Sequence, residues 1–229
     1  WGNIGTGEVA PTNIQPVRTH GPIYAQQGDP AIEHLTAAWY ARPGKNLYSR
    51  VTVGYLECMF GGASAELLWK PVDSRLALGA EVAWVKQRDY DQLFGFQDYS
   101  TTTGHVSAYY DWNNGFISTV HAGKYLAGDW GATLAVDRKF NNGWTVGAYA
   151  TITDISAEEY GEGSFDKGIR FTIPLEWALG QPSKGKSVTD IQSLARDGGA
   201  RVEVEGRLFE WVNDGHGDAL ASRWGKFWR

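Results

Sequence analysis

From Leu35 onward, apolar and polar residues alternate with a period of two, broken at short intervals by turn-forming residues. The clearest stretch is Phe116 to Ile155, which reads as three consecutive antiparallel strands. Trp130, Ala132, Leu134 and Val136 share one parity, with Thr133, Ala135, Asp137 and Lys139 on the other. After Asn142-Gly143, Trp144, Val146, Ala148, Ala150 and Ile152 continue the apolar row, opposed by Thr145, Gly147, Tyr149, Thr151 and Thr153. Alternation on both sides of an Asn-Gly pair is a strong hairpin signal, because that dipeptide adopts the positive φ angles of a tight two-residue turn.

The same pattern predicts strands around Leu35–Tyr40, Leu47–Tyr55, Ala63–Lys70, Leu76–Trp84, Val106–Trp112 and Phe165–Leu175, with a tenth at Arg201–Trp211. Every second connection is a short polar turn (Pro43 to Asn46, Asp73-Ser74, Asn113 to Gly115, Asn141 to Gly143). The others vary in length and include the loops Asp89 to Thr103 and Glu158 to Ser164. Short turns on one rim and longer loops on the other are the signature of an up-and-down barrel. Residues 1–33 carry frequent Pro and Gly and read as an irregular entry segment, with Val17 to Tyr24 as a short strand candidate. Residues 34–211 form the expected barrel, or the C-terminal portion of one. Residues 212–229 form a tail in which Leu220, Trp224, Phe227 and Trp228 recur at helical spacing, as in an interfacial amphipathic helix.

A soluble β-sandwich also alternates, burying one face of each sheet. The polar rows argue for a wetter interior, since they hold Arg50, Glu66, Lys70, Glu81, Asp137, Lys139 and Arg170 among small and hydroxyl residues. The apolar rows carry Trp39, Trp69, Trp84, Trp112, Trp130, Trp144 and Trp177, as aromatic girdles at membrane interfaces do. The expected fold is therefore an all-β, antiparallel, up-and-down transmembrane β-barrel of about ten strands with a short C-terminal amphipathic helix. Closing the sheet would also remove its exposed edges.

The chain has 229 residues, and a net charge of −5 speaks against a nucleic-acid partner. The lone Cys58 cannot form an internal disulfide. No catalytic residues, metal site or cofactor are expected, since the chain shows no zinc-protease motif, paired cysteines, phosphate loop or serine elbow. Asp214 to Asp218 reads as a Gly-rich turn before a metal site, and His20, His34, His105 and His121 lack ligand spacing. The candidate substrate-binding residues lie on the polar parity. Tyr48, Tyr109 and Tyr149 offer platforms for the apolar faces of sugars; Arg50, Glu66, Glu81, Asp137 and Arg170 offer partners for hydroxyls. Lumen packing and cross-strand ion pairing are the structural alternatives for each.

Several long strings carry a family resemblance: GYLECMFGG (Gly54 to Gly62), WVKQRDYDQLFGFQDY (Trp84 to Tyr99), Gly104-His105, AGKYLAGDWGATL (Ala122 to Leu134), SAEEYGEGSFDKGI (Ser156 to Ile169) and RDGGARV (Arg196 to Val202). From about Thr19 to its end the chain resembles the YjbH family of outer-membrane proteins, linked to exopolysaccharide and capsule production. Family members are larger, so the resemblance implies a C-terminal portion whose barrel is shared with upstream strands. It also implies a Gram-negative outer-membrane location, contact with membrane lipid and polysaccharide, and cooperation with periplasmic polysaccharide-export proteins. The leading expectation is a barrel that guides or conducts the polymer. The alternative is a non-conducting scaffold that anchors an export complex, which a filled interior would favour.

Overall fold

The computed structural model describes residues 9, 12–140, 142–156, 165–175, 186–192 and 197–215. Helix α1 (Gly21–Gln27) is followed by ten strands: β1 (Leu35–Gly44), β2 (Leu47–Tyr55), β3 (Phe60–Trp69), β4 (Leu76–Arg88) and β5 (Phe96–Asp111), then β6 (Phe116–Lys124), β7 (Trp130–Lys139), β8 (Thr145–Thr153), β9 (Asp166–Pro174) and β10 (Lys186–Gln192). Helix α2 (Leu208–Asp214) closes the described chain. The strands form one sheet in sequential order, each antiparallel to the next, as short hairpin connections dictate.

The predicted parities hold, and they invert the burial of an ordinary globular sheet. Along β4 the apolar row Leu76, Leu78, Val82 and Trp84 is exposed, while Ala77, Ala83 and Val85 on the other parity are buried. Trp39, Val106 and Ile152 are 67%, 64% and 66% exposed, whereas Arg50 is 0% exposed. The exposed row from Leu76 to Trp84 runs about 27 Å along the strand at ~3.4 Å per residue. That is comparable to the apolar band of about 25 Å on membrane barrels. Lys86 takes the next position of that parity, and on the adjoining extension of β5 Asp98, Ser100 and Thr102 face outward. The outer face thus turns polar over these positions of the β4–β5 hairpin, with Phe96 exposed again at the start of β5. Trp69, Trp84, Trp112 and Trp130 are exposed, whereas Trp144 is half-buried and Trp177 lies outside the described residues.

The sheet curls around its own chain. Gly199 donates its N–H to Asp129 just before β7 and lies against Thr151 of β8 and Asp166 of β9. Two residues later Arg201 reaches Glu81 on β4. In a flat sheet β4 and β9 would be about 24 Å apart at ~4.8 Å per strand, and two residues extend only about 7 Å. Closure is not complete: among the described residues β1 and β10 pair with their single neighbours and not with each other. The closed barrel expected from the pattern is corrected to an open, curled sheet. Closing a sheet into a barrel requires the strand number, tilt and stagger to match, so hairpin pairing between neighbours does not by itself join the first strand to the last.

Residues 197–215 cross the concave interior from the rim of the longer loops to the rim of the short turns. At the first rim, Leu126 donates its N–H to Ala200 and Asp197 accepts from Val17, Arg18 and Thr19. Here an apolar core gathers Val17, Tyr24, Leu56, Phe60, Val85, Leu126, Val202 and Val204. Each fully buried large side chain adds roughly 1.5–3 kcal/mol. At the second rim, Leu208 of α2 packs with Leu68, Ala77 and Tyr109.

Three local expectations change. Arg201–Trp211 is not a strand: Val202 and Val204 alternate with Arg201 and Glu203, but the segment runs inside the curl as unpaired extended chain and then turns into α2. The tenth strand is instead Lys186–Gln192, paired with β9 from Lys186↔Pro174 to Gln192↔Gly168. Val17 to Tyr24 is not a strand either, since the chain enters α1 at Gly21, with Pro22 in the first turn where its missing N–H costs no hydrogen bond. The tail Asp218 to Arg229 and the loop Glu158 to Ser164 lie outside the described residues.

Candidate functional site

Strand register builds the first part of an interior ion network. Arg50 on β2 stands opposite Glu66 on β3, and Glu66 stands opposite Glu81 on β4, all on the concave face. Two carboxylates directly across a strand pair repel. The Arg50 guanidinium sits between them, 3.1 Å from Glu66 and 3.2 Å from Glu81. The segment crossing the interior supplies the remaining positive charge. Arg201 lies 2.7 Å and Arg207 3.2 Å from the same Glu81 oxygen, Oε2. Ser64 donates its hydroxyl to Glu81 Oε1 at 3.2 Å.

The backbone of the crossing segment is held by the same groups. Arg50 donates to the Glu205 carbonyl at 2.8 Å, and Arg207 donates to the Val202 carbonyl at 2.8 Å. The Leu208 N–H donates to both oxygens of Glu66, at 3.1 and 3.2 Å. Glu66 thereby satisfies the first orphan amide of α2, which has no side-chain cap of its own. Tyr109 stacks on Phe209 of α2 with centroids 3.8 Å apart and planes 8° from parallel. Arg50, Glu66, Glu81 and Tyr109 are therefore brought together as the clamp on this segment.

A second anchorage sits at the loop rim. Arg18 forms a two-pronged contact with Glu57, at 2.8 and 3.0 Å, and donates to the Arg201 carbonyl at 2.7 Å. Glu57 also accepts from the Glu203 N–H at 3.0 Å. The adjacent Cys58 thiol is pushed up to about 11, first by burial and then by the neighbouring Glu57 charge. Burial likewise raises the Asp129 carboxyl above its ordinary range, partly offset by the Gly199 N–H it accepts.

A family model described as "Exopolysaccharide biosynthesis protein YbjH", for the YjbH family, matches residues 2–214. The chain belongs to the YjbH family. It is 40% identical over 210 residues to the uncharacterized lipoprotein YjbH of Escherichia coli (strain K12). That alignment covers 89% of this chain and 30% of the E. coli protein, so the chain spans about 30% of that relative's length. No solved structure matches.

Within this YjbH-family sheet three of the other predicted residues, Asp137, Tyr149 and Arg170, lie apart from the clamp, whereas Tyr48 packs against its Leu208 and Tyr109 end. Asp137 on β7 and Arg170 on β9 flank Gly147 on β8, opposite each of them in register. A side chain at Gly147 would meet the Asp137 carboxylate. Arg170 pairs with Asp190 on β10 at 2.8 Å, and the Tyr149 hydroxyl donates to Gln192 at 3.2 Å and to Asp166 at 3.5 Å. Tyr48 lies near the short-turn rim with the Arg42 guanidinium 5.6 Å from its ring centre. The residues missed on sequence are Arg201, Arg207, Arg18, Glu57 and Asp197. Arg201 falls in an alternating stretch, but no local pattern points any of the five to its partner, which lies 39 to 180 positions away. The available signal is the excess of carboxylates on the polar rows of β3 and β4, which calls for cations from elsewhere.

Proposed function

We propose that this region is part of the wall of an outer-membrane β-barrel serving exopolysaccharide secretion, and that its filled interior makes it a scaffold. The observation that carries the reading is the inverted sheet. Its apolar face points outward, and its charged face is buried under the chain's own residues 197–212. Water would not favour that apolar face, whereas a bilayer matches its height and its polar margin. The E. coli relative's description as a lipoprotein supports a location in the Gram-negative envelope. The open edges of β1 and β10 call for further strands, and upstream strands of a longer polypeptide are the natural source. Periplasmic polysaccharide-export proteins would meet the barrel at the rim of short turns.

A conduit is the second reading, and one observation favours it. Beyond the clamp, on β7 to β10, the concave face stays more open, with the Arg170 side chain 54% exposed. The two readings separate on secreted polymer per folded barrel. A scaffold leaves that ratio unchanged in Gly147→Trp and loses it when the 201–212 segment is released. A conduit loses it in Gly147→Trp. Lipid exposure has its own test in Leu134→Arg, at a site 53% exposed. Facing lipid, the change costs about 2–4 kcal/mol of folding stability in bilayers. Facing water, it would stay within roughly 0.5 kcal/mol, and the membrane reading would fall.

A further inference from the structure

We propose that the cleft between β1, β2 and α2 at the short-turn rim is a sugar-binding site taking a pyranose unit of the secreted polymer. It rests on the secretion reading above and gives it a place of contact. The cleft is an open depression of about 420 Å³, a volume large enough for one sugar ring against its walls. Leu208 and Val212 of α2 line it together with Tyr40, Tyr48, Arg42 and Trp211. The Tyr40 and Trp211 rings stand 6.4 Å apart at 39°, forming an open V, and they are 47% and 70% exposed. The Tyr40 ring does not have the position of a lipid anchor. Tyr40 has the inward parity, and its hydroxyl donates to the Gly206 carbonyl at 3.2 Å, while its neighbour Trp39 belongs to the outer face.

Exposed aromatic faces with one guanidinium at the edge suit a sugar. A pyranose ring has an apolar face of C–H groups that lies against an aromatic ring, and an equatorial rim of hydroxyls that needs donors and acceptors. The cleft supplies both. Its aromatic faces are exposed, and Arg42 at its edge carries guanidinium N–H donors for hydroxyls or for the carboxylate of an acidic sugar. The site is open to the rim, as binding within a chain of sugars requires, since a polymer must enter and leave on both sides of the bound unit.

The test uses the full-length protein in lipid nanodiscs. The probe is a set of oligosaccharides released by partial acid hydrolysis of the producing strain's own exopolysaccharide, titrated calorimetrically. Trp211→Ala and Arg42→Ala should each weaken binding tenfold or more, while Trp39→Ala on the outer face leaves it unchanged. Normal heat-modifiable migration of all three would show that the fold survives. Unchanged affinity in Trp211→Ala would overturn the proposal. So would absence of binding by the wild type in a strain whose secretion depends on the protein, which would leave the secretion reading intact. Secretion that continues after deletion of the protein, together with Trp211-dependent binding, would instead keep the site and overturn the secretion reading.

Discussion

Replacing Glu81 with Gln should release the interior segment more effectively than any other single change. Its carboxylate accepts from Arg50, Arg201 and Arg207 and from the Ser64 hydroxyl. Three guanidiniums and two carboxylates, Glu66 and Glu81, form the cluster; the substitution leaves three cations facing one anion. Breaking a buried pair by removing one partner costs roughly 3–5 kcal/mol, because the orphaned charge stays desolvated. The lower end, about 3 kcal/mol, applies here, since the Arg201 and Arg207 side chains keep 15% and 26% exposure and can recover some water. Urea unfolding of the full-length protein would measure it, with hydrogen exchange at residues 199–208 reporting where the loss falls. In the double variant Glu81→Gln/Arg201→Gln the two losses should be non-additive by at least about 1 kcal/mol, as for residues in one network. A loss below about 1 kcal/mol for Glu81→Gln, or full additivity in the double variant, would refute the claim that this network clamps the segment.

Three further outcomes follow from the geometry. Asp197→Ala strands the Val17, Arg18 and Thr19 amides and the Thr19 hydroxyl; at about 1–3 kcal/mol per buried orphan, limited proteolysis should cut within residues 12–34 well before the strands. Gly54 has φ +130° and lies directly against the Leu35 carbonyl across the β1–β2 pair, so Gly54→Ala should lower stability by more than about 1 kcal/mol, and an unchanged unfolding midpoint would contradict that close approach. The Cys58 thiol, at about 11, should react slowly with maleimide at pH 7.5 and much faster in denaturant, because the thiolate is the nucleophile. Rapid labelling of the folded protein would show a more exposed thiol than the structure has.

Much of the sheet was legible before any coordinates. Alternation and Asn-Gly or Pro-Gly turns are local signals, so the nine strands from Leu35 to Leu175 emerge in order, with the outer and inner rows correctly separated. Strand ends were less visible: β5 begins at Phe96, inside what reads as the loop Asp89 to Thr103, because its next outward positions, Asp98, Ser100 and Thr102, are polar. Strand β10 was hidden for a related reason, since Val188 and Ile191 fall on opposite parities and show no period of two. Arg201 to Val204 shows that period and yet pairs with no strand. The alternation there serves two environments inside the curl, with Val202 and Val204 in the rim core and Arg201 at Glu81.

The candidate site divides along the same line. Arg50, Glu66 and Glu81 could be placed on one face from parity alone, and their adjacency follows from register across three consecutive strands. What parity cannot supply is the arginines at 201 and 207, the carboxylates at 57 and 197, or the cleft where Trp211 meets Tyr40. Secondary structure here depends on residues two or four positions apart, which the sequence displays directly. Which segment fills the concave face, and whether the first and last strands meet, depends on curl and shear accumulated over the whole sheet. Those quantities exist only once all ten strands are assembled.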